Sequence, residues 1–333
     1  MAEYKGIKGF QVQTRTEDPS EGIAGDFYYN STSGEFKTIT DGGAPVGTWS
    51  SGGNLPGNRT MAGSFGTQTA TIAAGGTPYT ADSYSYNGVA WSEIAEINTE
   101  RNQSAGLGVS TSGLIAGGYN DPSGSNVDNV ENWNGSAWTE VADLSSTRAA
   151  AGSAGIYTAG LVFSGTVPGL TAVNESWNGS SWSEEADVNT ARYRTMGQSV
   201  GTQTAAMLIG GDPGGNNVET WDGSSWTEVA ELNTSRYLGG GNGITTAAIA
   251  VSGRLTPPNA VSALVEAWDG SSWTEINDVS TGRGYASATG TGSGNPNTQS
   301  LFFGGATTGS TANTTATEEF SADEFVIKTV TTS

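Results

Sequence analysis

The side chains able to do chemistry in this chain are charged, and they recur. Six arginines (Arg59, Arg101, Arg148, Arg192, Arg236 and Arg283) each lie ten residues after a tryptophan of the set Trp49, Trp91, Trp138, Trp182, Trp226 and Trp273. Five glutamates (Glu131, Glu175, Glu219, Glu266 and Glu318) each lie two residues before a second aromatic. A guanidinium beside a carboxylate makes an ion pair, whereas two carboxylates across a cleft could supply the acid and base of a glycosidase. A catalytic site needs different residues gathered at one place. Here the same residues return in every unit, and no unique carboxylate pair stands out. The arginines are therefore read as structural, each expected to tuck between sheets and meet one such glutamate or a backbone carbonyl. A second acidic column (Glu93, Glu140, Glu184, Glu228 and Glu275) follows the tryptophans by two residues. One carboxylate per unit falls short of the roughly six to eight oxygens that calcium takes. Charge on an outer strand that discourages edge-to-edge pairing is the simpler role.

The residue types that are missing narrow the chemistry further. The 333 residues include no cysteine and no histidine, which excludes disulfides, thiol nucleophiles and imidazole-based triads or metal sites. No cofactor is expected. The formal charge is −20, from 33 acidic residues against 13 Lys plus Arg. Beyond residue 46, the basic side chains outside the repeated column are Arg194, Arg254 and Lys328. No basic patch can be assembled from these, so neither a nucleic acid nor an anionic membrane surface is an expected partner. No segment approaches the roughly 18 apolar residues of a membrane span, and the opening MAEYKGIKGF has no apolar signal region.

These columns need a repeated element to position them. The six tryptophans recur at spacings of 42, 47, 44, 44 and 47 residues. Five residues before each tryptophan after the first sits another aromatic: Tyr86, Trp133, Trp177, Trp221 or Trp268. Between the two lies Asn-Gly or Asp-Gly, as at Asp222-Gly223, a hairpin signal because glycine accepts a left-handed backbone. One unit, residues 193–229, reads as four strands: YRTMGQSV, a GTQT turn, AAMLIGG, VETW and SWTEV. Aromatics facing one another across the last hairpin are expected to pack between adjacent sheets; stacking on sugars is the alternative. A four-stranded unit cannot bury both faces alone, and radial stacking of several gives a β-propeller. The ends fit that arrangement. Trp49 lacks a third strand of its own, while Thr317–Phe320 looks like a third strand lacking its tryptophan. The expected fold is all-β: a six-bladed propeller over residues 47–322, its last blade closed by the strand around Trp49 pairing with the strand around Phe320.

The order of a Gly pair ending the second strand, an aromatic in the third and a Trp opening the fourth resembles kelch-repeat propellers. AAGG (73–76), IAGG (115–118), LIGG (208–211) and FFGG (302–305) carry the pair; Ser164-Gly165 and Ser252-Gly253 depart from it. More narrowly, MAEYKGIKGF, GDFYYNSTSGEFK (25–37) and the WNGSSW-type hairpins are similar to kelch-like proteins of tailed bacteriophages, especially marine ones. That resemblance implies a non-enzymatic virion protein, assembled in the host cytoplasm: a tail fibre or tail component, or a capsid decoration. A carbohydrate-binding propeller module is the alternative, and a propeller enzyme the third class.

Variation between units points to the contact surface. From the Gly-pair position to the next aromatic takes 10, 15, 12, 10, 15 and 15 residues. Loops that vary on a rigid scaffold are where specificity usually resides. These hold Tyr79, Tyr119, Asn120, Asp121, Asp212, Arg254 and Asn259, the expected partner face toward a host glycan or protein. Residues 1–46 lie outside the repeat, with a hairpin expected around Ser33-Gly34, and the C-terminal stretch 323–333 alternates in FVIKTV (325–330). Both ends are expected to share one small sheet that attaches the protein to other virion proteins or to further copies of itself.

Overall fold

Apolar second strands such as Ala205–Ile209 (AAMLI) carry no polar face, which requires cover on both sides. The flanking first strands are made of small residues, as in Gly63–Thr67 and Ala105–Val109. The computed structural model describes residues 12–17, 27–40, 47–196, 200–257, 260–289, 297–308, 312–322 and 326–329. It contains no helix among these residues; strands account for the regular structure.

Residues 47–322 form six four-stranded antiparallel sheets, five of them with their strands side by side in chain order. The fifth is typical: Gly240–Ile244, Ala247–Val251, Val265–Trp268 and Trp273–Ile276. The sixth takes three strands from the C-terminal region, Ser287–Thr289, Gln299–Phe303 and Thr317–Ala322. Its fourth is Gly47–Ser51, which pairs with Thr317–Ala322 so that Trp49 stands opposite Phe320. The first strand of each sheet lies against the first strand of the next, and that of the sixth lies against that of the first. Their convergence explains much of the glycine content. A Cβ on Gly106 would meet the backbone of Ser64 in the neighbouring sheet, and one on Gly240 would meet the Ala288 side chain.

Hydrophobic clusters form between consecutive sheets rather than inside them. Leu161 and Phe163 of the third sheet pack with Ala206, Leu208, Trp221 and Trp226 of the fourth. Ile249 and Val251 of the fifth pack with Phe302 and Phe320 of the sixth. The aromatic pairs stand across each last hairpin, with ring centroids 5.0 Å apart at Tyr86–Trp91, 5.6 Å at Trp221–Trp226 and 5.1 Å at Trp49–Phe320. Five of the six outer tryptophans also bond backward. The Nε1–H groups of Trp138, Trp182, Trp273 and Trp49 donate to the carbonyls of Ala95, Ala142, Ala230 and Asn277 in the chain leaving the preceding sheet, at 2.9–3.1 Å. Trp91 uses Thr317 Oγ1 of the sixth sheet instead, at 3.0 Å, and the buried Nε1 of Trp226 has no partner among the described residues.

Three local features add detail to those expectations. In the unit 193–229 the first strand runs later than its sequence pattern suggests. Gly201 and Thr202 pair with Ala206 and Ala205, so the reversal shrinks to Gln203-Thr204, while Met196 bridges to Ile209. In the Asx-Gly hairpins only the glycine is left-handed, with φ between +87° and +94° at Gly88, Gly135, Gly179, Gly223 and Gly270. The preceding Asn or Asp contributes a side-chain acceptor instead: Asp222 Oδ1 takes the N–H groups of Ser224 and Ser225 at 2.9 and 2.8 Å. In the second sheet the long link after Gly118 is mostly strand. Ser112–Asn120 and Ser125–Trp133 form a hairpin of two nine-residue strands with an irregularity at Gly117.

The segment before residue 47 and the C-terminal stretch share a separate sheet. Gln13–Arg15 lies parallel to Phe27–Asn30, which turns through Gly34 into Glu35–Thr40; that strand pairs antiparallel with Val326–Thr329. Phe27 and Phe36 stack on its surface, 5.5 Å apart, and both are exposed.

Candidate binding site

Each repeated arginine sits on the chain entering a sheet and turns its side chain onto that sheet's third strand. Arg101–Glu131, Arg192–Glu219, Arg236–Glu266 and Arg283–Glu318 are ion pairs at 3.0, 2.6, 2.8 and 2.7 Å, and Arg148 pairs with Glu175. All these side chains are almost wholly buried. Burial pushes the arginines down from their usual range, Arg283 to about 10, against the upward pull of the paired glutamates. The glutamates have a second task. Glu219 accepts the backbone N–H groups of Asn189 and Thr190, at 2.7 and 3.3 Å, as Glu131 and Glu266 do for the equivalent residues. Each carboxylate thus pins the link from the previous sheet to its own. In the first sheet Tyr84 occupies the glutamate position, and Arg59 bonds its hydroxyl at 2.9 Å and Asp82 at 3.1 Å.

The arginine backbone is also used. The N–H groups of Gly76, Gly118, Gly165, Gly211, Gly253 and Gly305 donate to the carbonyls of Arg101, Arg148, Arg192, Arg236, Arg283 and Arg59 of the following sheet. The residue before each of these glycines is left-handed, and at Gly75, Gly117 and Gly304 an added Cβ would run into the same carbonyl. Ser164 and Ser252 hold this conformation too, with φ of 62° and 58°, and their hydroxyls donate to the arginine carbonyl. The two departures from the Gly pair thus preserve its geometry.

Two residues beyond each arginine stands a column with no residue type in common: Met61, Gln103, Ala150, Arg194, Leu238 and Tyr285. All six are left-handed, with φ between 55° and 60°. Each N–H donates to the carbonyl of its counterpart in the preceding sheet at 2.8–3.0 Å, and Met61 donates to Tyr285 at 2.9 Å, so the series returns to its start. All six line one cavity of about 60 Å³. The signal was available: a position fixed in spacing but different in type in every unit is where a repeat protein carries unlike chemistry.

The intervening residues bridge to the start of the second-to-third-strand links, as at Thr60–Thr77, Asn102–Tyr119 and Tyr193–Asp212. The cavity and the expected partner loops therefore open at the same end of the sheets. Of the loop residues, Tyr79 and Tyr119 approach one another, ring centroids 6.4 Å apart, and Tyr79 and Asp121 are exposed. Burial, then the nearby Asp121 charge, raise the Tyr79 hydroxyl above the ordinary tyrosine range. Asn120 is occupied in its own turn, donating to the Glu100 carbonyl and accepting from Ser123 N–H, both at 2.8 Å. Asp212 is half-buried in its bridge to Tyr193. Arg254 is not an exposed contact residue: it is 7% accessible, with its guanidinium 5.6 Å from the ring centre of Tyr285. Its strand, Arg254–Leu255, pairs with Arg236–Tyr237, which draws the side chain inward. Asn259 lies outside the described residues.

No family model and no curated protein matches this chain. Among solved structures it is similar to that of YjhT, with a TM-score of 0.69 at 14% identity, over 83% of this chain and 99% of that one. At that identity the likeness concerns architecture alone, and it places the chain among all-β, propeller-like folds.

Proposed function

We propose that residues 47–322 form a six-bladed kelch-like propeller, closed by the pairing of Gly47–Ser51 with Thr317–Ala322, and that the protein is a non-enzymatic phage virion component. It serves as a tail fibre, another tail component or a capsid decoration, presenting a rigid disc whose loop end meets a host surface or a neighbouring protein. The terminal sheet is the attachment device. The observation that carries this reading is the division of labour in the chain. Both ends are committed to a separate sheet with the stacked, exposed Phe27 and Phe36, while the repeated charges are consumed in buried pairs. Antibody labelling and cryo-EM of intact particles test it. Regular density for the protein on the particle is expected, lost on deletion of residues 1–44. A protein absent from particles, or unaffected in assembly by that deletion, overturns the reading.

A second reading, a carbohydrate-binding module, draws on the Tyr79–Tyr119 pair at the loop end, whose ring faces could stack on a sugar. Glycan-array binding that is lost in Tyr79→Ala would favour it.

A further inference from the structure

The cavity ringed by the six left-handed residues holds one charge that nothing answers. Among the described residues the Arg194 side chain makes no hydrogen bond and no ion pair. Its buried Nε has no partner, and its guanidinium carbon stands 4.6 Å from the ring centre of Tyr193. This contrasts with the six column arginines, each of which meets a carboxylate. The cations of residues 47–322 outside that column are Arg194, which lines the cavity, and Arg254, which is buried behind Tyr285 and does not line it. In a chain of net charge −20 this is a local reversal of sign, and a concave, low-dielectric wall focuses such a field. Gln103 and Tyr285 line the same cavity, the Gln103 amide also donating to Asn102 Oδ1 at 3.1 Å.

We infer that this cavity is a binding site for a carboxylate group, gripped by Arg194 and oriented by Gln103 and Tyr285. A planar guanidinium matches a carboxylate with two parallel hydrogen bonds. One free cation balances one negative charge, so a monoanion suits the site better than a phosphate dianion, whose surplus charge would face a strongly acidic molecule. A cavity of about 60 Å³ admits the acidic end of a ligand and leaves the remainder outside, among the loops carrying Tyr79 and Tyr119. The inference goes beyond the virion reading and concerns the isolated chain, so its failure leaves that reading standing.

Calorimetric titration of the full chain at low ionic strength tests it, with D-glucuronate, uronate oligomers, D-glucose and inorganic phosphate as probes, on the natural protein and on Arg194→Met. Glucuronate or its oligomers are expected to bind one per chain, with at least tenfold loss in R194M at unchanged melting temperature. Binding of the monomer supports a free acid as ligand, and binding of oligomers alone supports a chain end. No binding of either, equal binding by R194M, or binding of glucose or phosphate as tight as that of glucuronate overturns the inference.

Discussion

The backbone N–H of Met61 donates to the carbonyl of Tyr285 at 2.9 Å, joining the first sheet to the sixth by the same bond that joins every other neighbouring pair. Tyr86 adds a side-chain link across the same junction, bonding Glu319, and Gln68 donates to the Phe320 carbonyl at 2.6 Å. The join between opposite ends of the repeat is thus made by the contacts used elsewhere, supplemented by a few of its own.

The sixth sheet depends on a strand that arrives from the other end of the chain. Trp49 is half-buried against Phe302 and Phe320 and bonds Asn277. Trp49→Ala is expected to cost about 3 kcal/mol, the low end for a tryptophan truncation because part of the ring is exposed. Urea unfolding measures it. A loss matching that of Trp182→Ala, which is equally half-buried, would show that the joining sheet is as firm as an internal one.

Arg192 and Glu219 are fully buried, so removing one partner strands the other. Arg192→Ala is expected to lower stability by about 3–5 kcal/mol. The paired replacement R192M/E219L is expected to recover most of that loss. It will fall short of the natural protein by about 1–3 kcal/mol because the Asn189 and Thr190 N–H groups lose their acceptor. Thermal unfolding of the three proteins checks the order.

Left-handed positions discriminate among replacements. At Gly75 an added Cβ faces the Arg101 carbonyl, so Gly75→Ala is expected to cost roughly 1–3 kcal/mol. Gly75→Ser should cost less, because Ser164 and Ser252 show that a hydroxyl can donate to that carbonyl. Comparing the two melting temperatures decides the point.

The turn aspartates predict an acid response. Hydrogen bonds from the Ser225 N–H, then from the Ser224 hydroxyl and N–H, hold the Asp222 carboxyl at about 2, below the ordinary aspartate value. A depressed folded value means that the ionised form stabilises the fold. That contribution is complete above about pH 4 and is lost as the pH falls through about 2. Asp222→Asn keeps the acceptor, as Asn134 does in its own turn, and removes the titration. Melting temperatures of the two proteins should therefore converge between pH 4 and pH 2, the natural protein falling more steeply.

Much of this was legible in the residues, because the repeat states each rule six times over. The Trp and Arg columns, the Trp49 strand beside Thr317–Phe320 and the hairpin at Ser33-Gly34 can be read from spacing alone. What escaped was less regular. Arg254 looked like a loop residue but is buried, because the pairing of its strand with Arg236–Tyr237 is not encoded by any local pattern. The first strand near Gly201 began late, since glycine and threonine there read as turn formers until paired with Ala205 and Ala206. The column from Met61 to Tyr285 shares no residue type, so no recurring letter marks it in the sequence.

That column joins its members through main-chain atoms alone, so the hoop is indifferent to what each residue carries beyond Cβ. Its members are a thioether, an amide, a methyl, a guanidinium, an isobutyl and a phenol, and none is branched at Cβ or cyclised onto its nitrogen. Those are the two alterations a left-handed, N–H-donating position resists. Substitution can therefore exchange the side chains lining this cavity one at a time while the main-chain hoop that joins the six sheets keeps its shape.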